Sequence, residues 1–81
     1  MNYSARVNVM LKDGIADPQG QTIERALPAL GYAGIEDVRV GKLIELTLDA
    51  PDPQEARRRV LEMCEKLLAN PVIESYEVTI Q

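Results

Sequence analysis

The tripeptide Asp-Pro-Gln occurs twice in this chain, and each copy precedes a stretch with helical periodicity. The copies are Asp17-Pro18-Gln19 and Asp52-Pro53-Gln54. An aspartate side chain can accept hydrogen bonds from the free amides at a helix start, and proline suits the first helical position because its missing N–H is not needed there. Glu55 completes an acidic capping box with Asp52. Because alternating apolar residues flank both copies, the sequence predicts two β-α-β units in tandem.

The apolar spacing of the first half predicts a strand followed by a helix. Tyr3–Leu11 alternates between apolar and polar residues, as a strand buried on one side does. A helix is predicted from Pro18 to about Leu30, and Gly31 ends it. Because Pro28 removes a hydrogen bond inside that helix, we expect a bend or a shortened helix there.

The second half is predicted to be a hairpin, a helix and a final strand. Glycine is the first residue of Gly41-Lys42, which suits a tight turn between strands at about Glu36–Val40 and Leu43–Asp49. Asn70-Pro71 is expected to end the second helix, because asparagine tolerates the left-handed conformation and proline cannot continue a helix. The last strand is predicted at about Val72–Ile80, with its apolar side chains facing inward.

This order of elements is the split β-α-β, or ferredoxin-like, arrangement: an α+β fold with a four-stranded antiparallel sheet and two helices on one face. The second face of every predicted strand is polar, with side chains such as Arg6, Glu45 and Glu77. RNA-binding modules of this architecture place stacking aromatic residues there, and here there are none. The net charge is −4, and the three arginines of Arg57-Arg58-Arg59 splay around a helix. We therefore expect no nucleic-acid partner. We also expect the charges on this face to pair with one another or with a second sheet.

The length and the single cysteine restrict the class of protein further. The 81 residues are predicted to form one domain, residues 1–81, and a domain of this size often gains stability by association. No apolar run approaches the roughly 20 residues of a membrane span, and we expect no secretory signal. Cys64 cannot form an internal disulfide, which fits a reducing cytosol. A cytoplasmic protein without membrane contact is predicted.

The second helix carries more apolar residues than one core requires. The expected core stripe consists of Ala56, Val60, Met63, Cys64 and Leu67. Leu61 and Leu68 form a second ridge beside that stripe. Either loops cover this ridge or it contacts another subunit, and the small size of the domain favours an oligomer interface.

Most side chains that enzymes use for catalysis are missing. The chain has no histidine, so it lacks the commonest general base and zinc ligand, and Cys64 has no partner for a nucleophilic dyad. The glycines are dispersed and form no phosphate cradle. Gly20 lies in the first turn of the first helix, where its amide is able to approach a phosphate or carboxylate of a partner. We predict no catalytic residue, no metal site and no cofactor bound by this chain.

Four motifs in this chain resemble the small subunit of phosphoribosylformylglycinamidine synthase. They are Lys12-Asp13-Gly14, Asp17-Pro18-Gln19-Gly20, Val38-Arg39-Val40-Gly41-Lys42 and the run from Met63 to Glu74. The resemblance covers essentially the whole chain, with the motifs in the same order and no long insertion. Each motif is short, and it is their combination with the matching length that is specific.

The resemblance implies a role in purine biosynthesis. The enzyme is a C–N ligase that uses ATP, Mg and glutamine to convert formylglycinamide ribonucleotide into its amidine. The small subunit is expected to join a glutaminase subunit to a large synthetase subunit and to assist ammonia transfer between them. A homodimer or a higher assembly is implied as well.

The residues that folding does not explain are the expected partner contacts. They are Lys12, Asp13, Gln19, Gly20, Arg39 and Lys42. Capping and turn formation account for the remaining motif residues, including Asp17 and Asn70-Pro71.

Three other functions fit the predicted fold. The main alternative is a dimeric ferredoxin-like regulatory module that binds a small ligand. A hydrolase resembling acylphosphatase would need a glycine-rich anion cradle beside Arg6 and Asn8, and that loop is missing. A metal chaperone would need a Cys-x-x-Cys motif, which one cysteine cannot supply.

Overall fold

Three antiparallel strands form the sheet of this protein, whose computed structural model describes residues 1–81. The strands are β1 (Asn2–Leu11), β2 (Gly41–Asp49) and β3 (Glu74–Ile80), in the order β2-β1-β3. The first strand is therefore central, and the predicted alternation of buried and exposed side chains along it is confirmed. An α+β fold with an antiparallel sheet is confirmed, but the sheet has three strands rather than the four of the ferredoxin-like prediction.

The first helix is short because proline interrupts it. Helix α1 (Pro18–Ala26) begins at Asp17, whose carboxylate accepts a hydrogen bond from the amide of Gly20 at 2.9 Å. It passes into a 3₁₀ turn (Leu27–Leu30) that contains Pro28. A tighter turn needs fewer of the hydrogen bonds that proline cannot make. The predicted cap and the predicted shortening are both confirmed.

The second helix begins as predicted but lacks the reciprocal capping bond. Helix α2 (Pro53–Met63) is capped by Asp52, which accepts a hydrogen bond from the amide of Glu55 at 2.7 Å. The Glu55 side chain does not reach back to the cap. It binds Arg58 and Arg59, and these hydrogen bonds lower its pKa to about 2. The capping-box prediction is wrong because two guanidinium groups a turn away are stronger partners than one amide.

The end of the second helix departs from regular α geometry. After Met63 the chain forms a π-helical turn (Cys64–Leu68) and leaves the helix at Ala69. The wider turn changes which side chains face the sheet. Leu67 is 83% exposed, whereas Leu68 is half-buried against the core. The predicted place of Leu67 in the core stripe is therefore wrong.

A small apolar core lies between α2 and the sheet. The inward side chains of β1, including Val7 and Val9, are fully buried against Val60 and Cys64 of the helical segment. The predicted core position of Cys64 is confirmed, and burial raises the pKa of its thiol. Val78 is the buried residue of β3, which begins at Glu74 and not at Val72.

The predicted second strand and hairpin do not form. Residues 36–40 belong to no strand, and Gly41-Lys42 lies inside β2, opposite Met10 and Val9 of β1. Gly41 has no positive φ, which a turn of that kind would require at its first position. Glycine at this position instead allows β2 to pack closely against β1, because a Cβ on residue 41 would collide with the sulfur of Met10 and the carbonyl oxygen of Val9.

Residues 12–40 form an arm that extends from one end of the sheet. The chain leaves β1 after Leu11, forms α1 and the 3₁₀ turn, and returns at Gly41. Helix α1 makes no extensive contact with any strand, so only α2 covers the sheet and the prediction of two helices on one face is wrong. The molecule measures 51 × 25 × 15 Å as a result. Neither helix is long and apolar enough to cross a lipid bilayer.

Shortening the central core side chain should destabilise the fold. Val60 is 0% exposed, so Val60→Ala removes buried methyl groups and leaves a cavity, and we expect the free energy of unfolding to fall by about 2 kcal/mol. Val72 is 80% exposed, so Val72→Ala is the matched control, with a change within about 0.5 kcal/mol. Urea unfolding at one fixed protein concentration measures both. Equal losses in the two variants would contradict the core described here.

Candidate partner-binding site at the junction of arm and sheet

The predicted partner contacts gather where the arm joins the sheet. Two shallow clefts lie there, and Asp17 lines both. Gln19 and Lys42 line the first cleft, together with the edge of the sheet. The second cleft contains three further predicted residues, Lys12, Asp13 and Arg39. Residues from three separate sequence motifs are thus brought to one end of the molecule.

The carboxylate of Asp17 fixes the geometry of this junction. One of its oxygens accepts a hydrogen bond from the amide of Gly20 at 2.9 Å, and the other accepts one from the amide of Val40 at 2.8 Å. The amides of Gly20 and Val40, with a smaller contribution from the nearby Arg39, hold the pKa of this carboxyl below its usual range. The start of α1 is therefore fastened to the residue that precedes β2.

A second carboxylate, that of Glu24, also holds α1 against the residues that precede β2. Glu24 of α1 accepts a hydrogen bond from the amide of Val38 at 3.1 Å. The backbone amides of Val38 and Val40 therefore donate to the side chains of Glu24 and Asp17, and not to a neighbouring strand. This explains why the apolar alternation around Val38 and Val40 does not produce the predicted strand.

Gly20 permits the close packing of the arm. It is the buried residue of α1, and a Cβ at this position would collide with the carbonyl oxygen of Val38. Because its amide already donates to Asp17, the free amide that the sequence suggested for an anion of a partner is occupied. In the isolated chain this glycine shapes the junction.

The cationic side chains at the junction are exposed and only partly paired. Arg39 donates to the carbonyl oxygen of Leu11 and lies 3.5 Å from the carboxylate of Asp13, which is 99% exposed. Lys12 donates to the carbonyl oxygen of Pro71 at 2.7 Å. Lys42 is exposed and makes no ion pair. These groups are available to a second protein surface, because all three side chains are exposed to water.

The two leucines predicted for an oligomer interface lie outside both clefts. Leu61 and Leu68 are half-buried and pack against the core. Leu67 is the most exposed apolar side chain of this region. The apolar surface of the second helical segment is therefore displaced from the predicted ridge by the π-helical turn.

The open face of the sheet is polar, as predicted. Arg6 of β1 pairs with Glu45 of β2 at 3.3 Å, and the two residues lie directly opposite each other. A shallow polar cleft surrounds this ion pair, with Ser4 and Thr47 beside it. The predicted pairing of charges on this face is confirmed.

The sequence indicated the capping role of Asp17 but not its second hydrogen bond. The partner amide of Val40 is 23 residues away, and no local pattern connects the two positions. The role of Glu24 was missed for the same reason. The only available signal was negative: the predicted second strand contains Asp37, a residue type that is disfavoured in strands, and Asp37 adopts a positive φ of 57°.

Comparisons with known proteins identify the relatives of this chain. The sequence model of a family described as PurS, phosphoribosylformylglycinamidine (FGAM) synthase, matches residues 4–81. The PurS subunit of that synthase from Synechocystis is 47% identical over 75 residues, which are 93% of this chain and 75% of the relative. The PurS subunit from Methanocaldococcus jannaschii is 40% identical over 79 residues, 98% of this chain and 95% of the relative.

Solved structures agree with these sequence matches. The crystal structure of M. jannaschii PurS, a subunit of formylglycinamide ribonucleotide amidotransferase, superposes with a TM-score of 0.87 at 40% identity, covering 98% of this chain and 95% of that one. A chain in the structure of PurLQS from Thermotoga maritima gives a TM-score of 0.91 at 34% identity, covering 100% of this chain and 99% of that chain.

Removing the charge of Asp17 should loosen the arm at one defined amide. In Asp17→Asn one oxygen remains for Gly20, but the new NH₂ group faces the amide of Val40, so hydrogen-exchange protection of Val40 should be lost. Asp37→Asn is the matched control, because Asp37 lies on the same arm and makes no side-chain hydrogen bond. Unchanged protection of the Val40 amide in Asp17→Asn would contradict the hydrogen bond between Asp17 and Val40.

The same carboxylate predicts a pH dependence. Because folding lowers the pKa of Asp17, the contribution of this carboxylate to stability is present above the ordinary aspartate pKa of 3.8 and is lost as pH falls through the lower folded pKa. The amide chemical shifts of Gly20 and Val40 should therefore titrate together, with a midpoint below 3.8. NMR titration of the intact chain measures this midpoint, and Asp17→Asn should abolish it.

Proposed function

Because the chain belongs to the PurS family of phosphoribosylformylglycinamidine synthase subunits, we propose that it acts as the small, non-catalytic subunit of that enzyme. The observation that carries this conclusion is the match over the full chain to a chain in the PurLQS structure. The fold adds physical support, since its single thiol is buried and protonated and its clefts hold no histidine. We place the protein in the cytoplasm, where this pathway operates.

The proposed role is to join a glutaminase subunit to a large synthetase subunit. The complex uses ATP and Mg, which act in the large subunit, and this chain binds neither. Ammonia released by the glutaminase has to reach the second centre before water protonates it or it diffuses away. A protein that excludes water from the contact between two subunits supports this transfer without any catalytic residue.

The junction of arm and sheet is the proposed contact with the other subunits. Its cations Lys12 and Arg39 line one cleft together with the exposed carboxylate of Asp13, and Lys42 lines the neighbouring cleft, so the surface offers charges of both signs within one region. Asp17 holds the backbone beneath them in a fixed position. Such an arrangement gives a partner specificity and orientation, because a misplaced partner would face like charges.

A homodimer is the proposed state of this chain, and the ferredoxin-like arrangement belongs to this proposal. The three strands have the order that three of the four strands of that fold would have. The second helix of its helical face is missing from the single chain, because α1 lies on the arm. An assembly of two chains is able to supply it.

Reconstitution of the synthase tests the proposed function. Purified large and glutaminase subunits are assayed for glutamine-dependent amidine formation with and without this protein, with ammonium-dependent activity of the large subunit as internal control. We expect glutamine-driven turnover only when this chain is added. Equal turnover in its absence would overturn the bridging role, and a ligand-dependent shift in the thermal stability of this chain alone would then favour the regulatory module.

Charge reversal at the junction should weaken assembly of the complex. For Lys42→Glu we expect about a tenfold higher concentration for half-maximal glutamine-dependent activity, equivalent to about 1.4 kcal/mol. Lys66→Glu is the matched control, because Lys66 is 73% exposed and lies on the helical segment away from the clefts. Ammonium-dependent activity should be unchanged in both variants. Equal effects of the two substitutions would show that net charge matters and the junction does not.

A further inference from the structure

Two side chains of opposite charge lie on the apolar face of the sheet. Lys42 of β2 lies opposite Val9 of β1, and Glu74 of β3 lies opposite Leu11. Opposite residues share a face of the sheet, as do residues two apart in a strand, and the buried Val9 shows that this face carries the core. The other residues of β2 and β3 on this face are Ile44, Leu46, Leu48, Tyr76, Val78 and Ile80. Folding alone favours apolar side chains at positions 42 and 74 as well, so the two charges indicate a function.

These two charges line the first cleft of the junction but do not meet. The cleft has a volume of about 400 Å³, which is in the size range of small-molecule sites. Lys42 and Glu74 form no ion pair with each other or with any other group. Their Cα atoms lie roughly 12 Å apart, two strand spacings across the sheet and two residues along it. A molecule that carries both charges itself is able to fill the gap between them.

The carboxylate of Glu74 is held in place and keeps one oxygen uncommitted. Its Oε1 accepts a hydrogen bond from the amide of Asn70 at 2.7 Å, and the amide of Glu74 donates to the carbonyl oxygen of Asn70 at 2.7 Å. These bonds fix the start of β3 and orient the carboxylate, while Oε2 makes no hydrogen bond within the chain. Both oxygens of Asp17, the other carboxylate of the cleft, already accept backbone amides. Oε2 of Glu74 is therefore the carboxylate oxygen that is available to a cation.

Uncommitted polar groups and an apolar wall complete the first cleft. The ammonium group of Lys42 and the side-chain amide of Gln19 make no hydrogen bond within the chain. Pro18, Leu11 and Val40 supply apolar surface beside them. A short uncharged side chain of a ligand would cover this surface and release water from it.

The balance of charge in the cleft disfavours phosphate-bearing ligands. Asp17 and Glu74 place two carboxylates beside the single cation Lys42. A phosphate or a nucleotide would therefore face net repulsion. A ligand with one negative and one positive group matches the two uncommitted side chains instead.

We propose that the first cleft binds a free α-amino acid with an uncharged side chain. The ammonium group of Lys42 donates to the ligand's carboxylate, the ligand's ammonium group donates to Oε2 of Glu74, and the ligand's side chain lies on Pro18 and Leu11. Hydrogen bonds between charged groups are stronger than those between neutral groups. A polypeptide carries its ammonium and carboxylate groups on different residues, so only the free amino acid presents both on one carbon. This site belongs to the chain itself, and its occupancy does not depend on the synthase function.

NMR titration of the intact ¹⁵N-labelled chain with L-leucine tests this site. We expect saturable shifts of the amides of Gln19, Gly41 and Lys42, with a dissociation constant on the order of 1 mM because the cleft is open to water. Two analogues keep the side chain and lack one charge each: 3-methylbutylamine has no carboxylate, and 4-methylpentanoate has no ammonium group. Each analogue should bind about tenfold more weakly than L-leucine.

Two variants separate the contributions of the two charges. Glu74→Gln keeps an oxygen for the amide of Asn70 and should weaken binding of L-leucine about tenfold without affecting 4-methylpentanoate. Lys42→Gln should weaken binding of L-leucine to a similar extent without affecting 3-methylbutylamine. Glu77→Gln is the matched control and should bind L-leucine normally, because Glu77 lies on the same strand but on the opposite face of the sheet.

Several results would overturn the amino-acid site. They are the absence of shifts, shifts that spread over the surface without saturating, analogues that bind as tightly as L-leucine, and an equal loss of binding in Glu77→Gln. Lys42 and Glu74 would then be contacts to a partner protein only. Because the titration uses this chain alone, failure of the synthase assay would leave its result unaffected.

Discussion

The carboxylate of Asp17 accepts hydrogen bonds from two backbone amides that lie far apart in the chain, Gly20 and Val40. Through these bonds one side chain sets both the start of α1 and the path by which the chain enters β2. The direction of the arm follows from this constraint. A charged acceptor is well suited to this task, because hydrogen bonds to an ionised group are stronger than those between neutral groups.

The core is small, and most of the chain's apolar and charged side chains therefore lie at least partly on the surface. Nine apolar residues are buried, and most are valine or alanine. Such a core stabilises a domain only modestly, because the buried apolar area per residue is low. The chain nevertheless devotes residues 12–40 to an arm that adds almost nothing to this core. This distribution suits the proposed bridging role, since apolar and charged side chains remain available for contacts with other subunits.

The two helices begin with the same local sequence signal but pack in different ways. Both begin with aspartate and proline, and both caps form. Helix α2 is then held on the sheet by Val60 and Cys64, while its outer side is stiffened by ion pairs of Glu55 and Glu62 with neighbouring cations. Helix α1 has an apolar side as well, but its hydrogen bonds direct it away from the sheet. Local sequence specifies a helix and its ends, and long-range contacts decide what the helix packs against.

The sequence by itself determined the elements whose signals are local. The strand alternation of Tyr3–Leu11, both aspartate caps, the shortening at Pro28 and the family were readable because each depends on neighbouring residues or on their order. Tertiary structure alone decided that residues 36–40 form no strand, that the arm leaves the sheet, and that Leu67 faces water. In each case the deciding interaction either joins positions that are distant in the chain or changes the helical period. The spacing of apolar residues along the sequence predicts neither of these.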